Sequence, residues 1–184
     1  MKSLSIKAMG AIAFLAMTLG PISAAQADEW TYPVIKYGSV HPLPNAGVQP
    51  DKSKTYKALF DVTSGSRKPD KPAGGLVHVA RAVNVFASAG VPTSNLDFVA
   101  ILHGPATFAI LSNAAYKEKF GMDNPNIPLI DALVKAGVHV DVCGQALAEL
   151  KIANADVYSP VRVDLSALAT TVIYGEMGYA YMKQ

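Results

Sequence analysis

From Tyr56 onward the apolar residues of this chain come in short unbroken runs, and between the runs they recur every three or four positions. YKALFDVT, Tyr56 to Thr63, reads as a first strand, and the polar loop SGSRKPDKPAGG follows it. Leu76, Val79, Ala80, Val83, Phe86 and Ala87 then share one face of a helix predicted over Leu76–Ala89, with Gly90 where a helix stop belongs. LDFVAIL is apolar nearly throughout, which suits a strand covered on both faces. A short helix near Thr107–Ser112 and a further turn over Tyr116–Phe120 are expected next, then a helix that ends at Gly137 and a third strand, VHVDVC. GQALAELK continues as a helix that turns Ala146, Leu147 and Leu150 inward. SPVRVD supplies a short fourth strand, Asp164 is placed to cap a helix running to Met177, and YAYMK closes the chain as an edge strand. Strands alternating with helices in this way make an α/β domain on a mainly parallel sheet, here of about five strands.

The pattern is different upstream. Residues 28–55 carry four prolines and no sustained period, so they read as an N-terminal arm. Trp30, Tyr32, Val34, Ile35 and Tyr37 give that arm apolar surface to pack with, but it is too short to bury a core of its own. Residues 1–27 have the layout of a secretory signal peptide. Lys2 and Lys7 precede an apolar run from Ala8 to Leu19, Gly20-Pro21 breaks it, and Ala25-Gln26-Ala27 is a small-x-small cleavage site. The run falls short of the roughly 20 residues that span a bilayer, and no later segment is a better candidate. The expectation is therefore a periplasmic or secreted protein with no membrane span after cleavage, its domain occupying residues 56–184.

Charge changes the picture once the leader is set aside. Of 16 basic and 14 acidic residues the leader holds two lysines and no acid, so the remainder is balanced. A nucleic-acid partner normally requires a basic excess or stripe, and neither is visible. His41, His78 and His139 are scattered without the spacing of a zinc motif, and no G-x-G-x-x-G or Walker motif occurs, so no metal and no cofactor are expected. The loop TSGSRK has glycine and hydroxyls, but RKPDKPAGG separates it from the helix that would complete a phosphate cradle, and it reads as a solvated linker.

One cysteine, Cys143, is present. It cannot form an intrachain disulfide, and without a C-x-x-C pair the chain cannot cycle a dithiol by itself. Its place between a strand and a helix puts the sulfur at the carboxyl end of a parallel strand, where ligands gather in open α/β sheets. The backbone N–H groups of a helix start favour an anion there, and a thiolate is the nucleophilic form of cysteine. An inert buried cysteine is the bland alternative. Gly144 permits close approach of another chain or a small ligand. His103, at the end of the second strand, is a base for that thiol or a hydrogen-bond partner for a sulfur-bound anion, or a histidine simply bonded to a carbonyl. Asn84 interrupts an apolar helix face, and a buried amide there must find partners. It could orient the strand-end loops or play a plain structural part.

ALFDVT on the first strand, Asn84, VAILHGPA, NPN leading through AGV to VCGQALAEL, and SALATTVIYGEMGYAYM together resemble the DsrE/DsrF-like family over roughly residues 56–182. The resemblance implies a three-layer α/β/α domain that assembles into trimers or hexamers. It also implies that a cysteine at the position of Cys143 accepts and passes on sulfur as a persulfide, exchanging it with a donor or acceptor protein. His103 would serve beside it, with Gly104, Gly144, Gln145 and Asn84 as ligand-binding or supporting residues. The leader and the proline-bearing arm set this chain apart from the cytoplasmic relay subunits. The leading expectation is an exported persulfide carrier or sulfurtransferase-like protein. The alternative is a non-catalytic oligomeric module that binds a small ligand or a protein and keeps Cys143 as a structural residue.

Overall fold

A computed structural model describes residues 29–184, so the leader predicted over residues 1–27 lies outside the described residues. Five strands, β1 (Tyr56–Val62), β2 (Leu96–Leu102), β3 (His139–Cys143), β4 (Arg162–Asp164) and β5 (Ala180–Lys183), form one sheet. Their order is β4-β3-β2-β1-β5 and every neighbouring pair is parallel. Parallel strands need a crossover each time, and the helices that make those crossovers cover both faces.

The larger core lies under α1 (Gly74–Ser88) and α3 (Ile127–Lys135), which pack on one another. Strand alternation sends Ala58, Phe60, Val62, Phe98, Ala100, Leu102, Val140 and Val142 to that side, where they meet Leu76, Val79, Val83, Leu129 and Leu133. Each such leucine, valine or phenylalanine contributes about 1.5–3 kcal/mol on burial. Two buried asparagines close this layer. Asn126 accepts the backbone N–H of Ala73 at the head of α1, and Asn124 donates to the carbonyls of Ala109 and Leu111. The result is a three-layer α/β/α domain, because α5 (Ala167–Glu176) lies on the opposite face over Leu59, Val99 and Ile101, with Ala146 joining the same cluster.

Element boundaries follow the apolar pattern closely, with three departures. The stretch after His103 is a 3-10 segment, Gly104–Ile110, and α2 spans Asn113–Phe120 with Ser112 as its cap. Leu150 is 39% exposed rather than inward, since α4 (Gly144–Leu150) ends one residue later at Lys151 in a left-handed conformation. Asp164 does not cap α5. Ser166 does, accepting the N–H of Ala169, while Asp164 belongs to β4 and its carboxylate is taken by Arg162 and Thr170.

The arm is fastened to α1 through Asn84. Its Oδ1 accepts the N–H groups of Val34 and Ile35, and its Nδ2 donates to the carbonyls of Ile35, Tyr37 and Gly38. Ile35 and Val40 are buried beneath that fastening, and Thr31 pairs with Val40 across the turn. The amide that interrupts the apolar helix face is therefore spent on the arm, and it does not orient the strand-end loops.

Candidate functional site

The chain steps outward from β1 to β4, and α5 then carries it back across the second face to place β5 on the far side of β1. In such sheets the crevice at the carboxyl ends of the strands, beside the reversal, is where ligands bind. A cavity of about 540 Å³ opens there, walled by Asp61, His103, Gly104, Cys143, Gln145, Tyr181 and the first two turns of α5.

Period-two alternation explains who faces it. On β1, Leu59 and Asp61 point away from the main core; Asp61 is in register with Ile101 of β2 and Lys183 of β5. His103 follows β2 in extended conformation, its N–H bonded to the carbonyl of Val62, so the strand direction continues one residue and delivers the imidazole to the same side as Ile101. Nε2 of His103 lies 2.5 Å from Asp61 Oδ1, and the hydroxyl of Tyr181 donates to the other oxygen of that carboxylate. The Asp61 contact also pushes the Tyr181 hydroxyl above its ordinary value, since the carboxylate stabilises the protonated phenol. A carboxylate held from both sides fixes the ring of His103 and its tautomer.

Cys143 ends β3 and stands at the cap position of α4; its thiol is free and packed with Ile101, Ala146 and Ala167 at 6% exposure. Helix α4, which begins there, has only seven residues. Gly144 does not leave room for a foreign ligand. A Cβ there would sit 2.7 Å from the carbonyl oxygen of Asp164, so the close approach is that of β4. Gly104 adopts φ +55°, a left-handed conformation that lets the chain leave His103 and turn into the 3-10 segment. Gln145 lines the cavity and donates to the carbonyl of Leu165.

Beneath the sulfur, Asp141 on β3 is almost wholly buried and meets Arg162 at 2.6 Å. Arg162 also reaches Asp164 at 3.0 Å and the hydroxyl of Tyr174 on α5, locking β3, β4 and α5 together. Burial first, and then the neighbouring Asp164 charge, raise Asp141 to about 6 against the opposing pull of Arg162.

The structure thus brings Cys143, His103, Gly104 and Gln145 to one cavity, places Gly144 behind its wall and Asn84 at the arm. Sequence reasoning passed over Asp61 and Tyr181. Asp61 carries a readable signal, an acid next to the end of the otherwise apolar run ALFDV; Tyr181 needed the pairing of β5 with β1. Among the described residues no cluster of three or more His, Cys, Asp or Glu side chains could hold a metal ion, and no helix is long and apolar enough to cross a membrane.

An all-parallel sheet between helical layers, with a thiol, an imidazole and a carboxylate at its strand ends, defines a three-layer α/β protein with a strand-end thiol site. The chain belongs to the DsrE/DsrF-like family, whose model matches residues 57–183, a family generally linked to sulfur metabolism. No curated protein matches it. Among solved structures it is similar to MTH1491, a protein of unknown function from Methanobacterium thermoautotrophicum, with a TM-score of 0.52 and 15% identity over 70% of this chain and 99% of that one. At that identity the likeness is one of fold.

Proposed function

We propose that this protein handles sulfur through Cys143, as an exported persulfide carrier or sulfurtransferase. The observation that supports this most is that the single cysteine opens into the same cavity as His103, whose Nε2 is engaged by Asp61. With Nε2–H donated to that carboxylate, Nδ1 is the nitrogen left to take the thiol proton. The Cys143 thiolate then attacks the terminal sulfur of a sulfane donor such as thiosulfate. A new S–S bond forms, the bond to the sulfite group breaks, and sulfite leaves with the electron pair, so Cys143 holds the sulfur as a persulfide. With a persulfide donor the leaving group is a thiolate, which recovers the proton from the imidazolium.

Mass spectrometry of the native protein after exposure to thiosulfate or polysulfide tests this directly. Gain of one sulfur on the peptide containing Cys143, lost in Cys143→Ser, is expected; an unmodified Cys143 sinks the proposal. The low exposure of the thiol favours one competing reading, a binding module with a structural cysteine. Labelling by a thiol reagent no faster than unfolding permits would establish that reading instead.

Export accords with the leader-like residues 1–27. Assembly into a trimer or hexamer accords with the apolar surface of α5, where Leu168 and Val172 at the rim of the thiol cavity are exposed and Ile173 and Met177 are exposed beside them. Sedimentation of the protein lacking residues 1–27 gives the number of copies, and a monomer at all concentrations ends the assembly proposal.

A further inference from the structure

We propose a second binding site, separate from the thiol cavity, for a small organic anion with an apolar ring body. It lies on the other side of the strand-end loops, in a cavity of about 490 Å³ between the loop Gly65–Pro69 and the helical segments that follow β2. That volume falls within the range of small-ligand sites.

Its chemistry is one-sided. Arg67, Lys68 and Lys119 line it and no acidic residue does. Two carboxylates adjoin lining residues in sequence without lining the cavity: Glu118, next to Lys119, and Asp70, which pairs with Lys71 at 3.4 Å and acts on Tyr116 through its charge. Arg67 and Lys68 make no ion pair or side-chain hydrogen bond among the described residues, so their charges are available to an incoming anion. Lys119 is already held in place, its ammonium 4.6 Å from the ring centre of Phe108 and 5.7 Å from that of Phe120. Apart from Ser66 and Tyr116 the rest of the wall is apolar, chiefly Pro69, Pro105, Phe108 and Phe120. A bare inorganic anion would leave that wall wet, whereas a ring carrying one anionic group satisfies both parts.

The walls are built rather than incidental. Tyr116 is buried and its hydroxyl donates to the carbonyl of Pro69 at 2.8 Å, tying the loop to α2. A Cβ on Gly65 would stand 2.6 Å from the carbonyl oxygen of Pro105, so only glycine lets this loop lie against the chain leaving His103. The site does not depend on sulfur chemistry at Cys143.

The test is titration of the isotope-labelled protein with naphthalene-1-sulfonate, followed by amide NMR at low salt, with inorganic sulfate and 1-naphthalenemethanol as the charge-only and ring-only probes. Saturable shifts at Gly65, Ser66 and Lys119 are expected, in Cys143→Ala as in the wild type. Each control probe should bind at least about tenfold more weakly. Arg67→Ala combined with Lys119→Ala should weaken the sulfonate by at least about tenfold while the amide spectrum stays that of the folded protein, and Arg67→Glu alone should weaken it by a similar factor with the unfolding midpoint unchanged. Shifts confined to the Cys143 cavity, equal binding of the neutral alcohol, or affinity unaffected by Arg67→Glu would each overturn the proposal.

Discussion

His103 and Asp61 meet at 2.5 Å across the ends of two neighbouring strands, and the second oxygen of Asp61 is occupied by Tyr181 from the strand on the other side. The ring of His103 is thus held by a group that lies on a different strand from Cys143. Asp61→Asn keeps the shape but can present an N–H where the ring needs an acceptor. Persulfide formation on Cys143 is expected to slow by about tenfold or more, with a displaced pH profile, while Tyr181→Phe loses less. Stopped-flow measurement of both variants across pH checks this, and an unchanged profile in Asp61→Asn removes His103 from the chemistry.

Asn84→Ala strips five hydrogen bonds from a fully buried position and leaves backbone groups of the arm unpaired. A loss of about 3 kcal/mol is expected in urea unfolding, with faster proteolysis within residues 29–55. Sulfur uptake by the fraction that remains folded should be unchanged, because the amide takes no part in the cavity.

Asp141 gives a signed pH effect. Its carboxyl is raised from 3.8 to about 6 by burial, so the folded state holds a proton that the unfolded chain releases first. Stability from this group is present below the unfolded value and is lost as pH rises through about 4 to 6. Asp141→Asn has no such loss. Relative to wild type, the variant should gain stability from pH 4 to pH 7 by up to about 3 kcal/mol, read from denaturant midpoints at each pH. A difference that stays flat would show that Arg162 cancels the effect of burial, and one that falls as pH rises would show that it outweighs it.

Gly144→Ala places a methyl group against the Asp164 carbonyl at 2.7 Å, and β4 has to move. Destabilisation of about 1–3 kcal/mol is expected, together with quicker labelling of Cys143, since the displaced strand is the one beside the sulfur. A stable variant with slower labelling would contradict this placement.

Most of the architecture could be read from the chain because the apolar runs obey two distinct periods, and LDFVAIL was delimited to the residue. What the pattern could not supply was partnership across the sheet. Asp164 stands where a helix cap would, yet the guanidinium of Arg162 two residues away claims it, a contact no local rule anticipates. Asn84 was recognised as a buried amide in need of partners, but those partners lie about fifty positions earlier, in a segment with no period to place it. The thiol and the imidazole were found because each ends an apolar strand. Tyr181 was not, since its role exists only through the pairing of the last strand with the first.

That pairing governs how the molecule comes together. The bond between Tyr181 and Asp61 joins residues 120 positions apart, and the Gln184 carbonyl closes a similar span onto Thr63. Contacts of such separation are costly in loop entropy and form late. A nascent chain presents β1, α1, β2 and α3 before it presents the strand that gives the carboxylate beside His103 its second neighbour. The cavity that the thiol lines is therefore complete only when the last strand of the chain has joined the first.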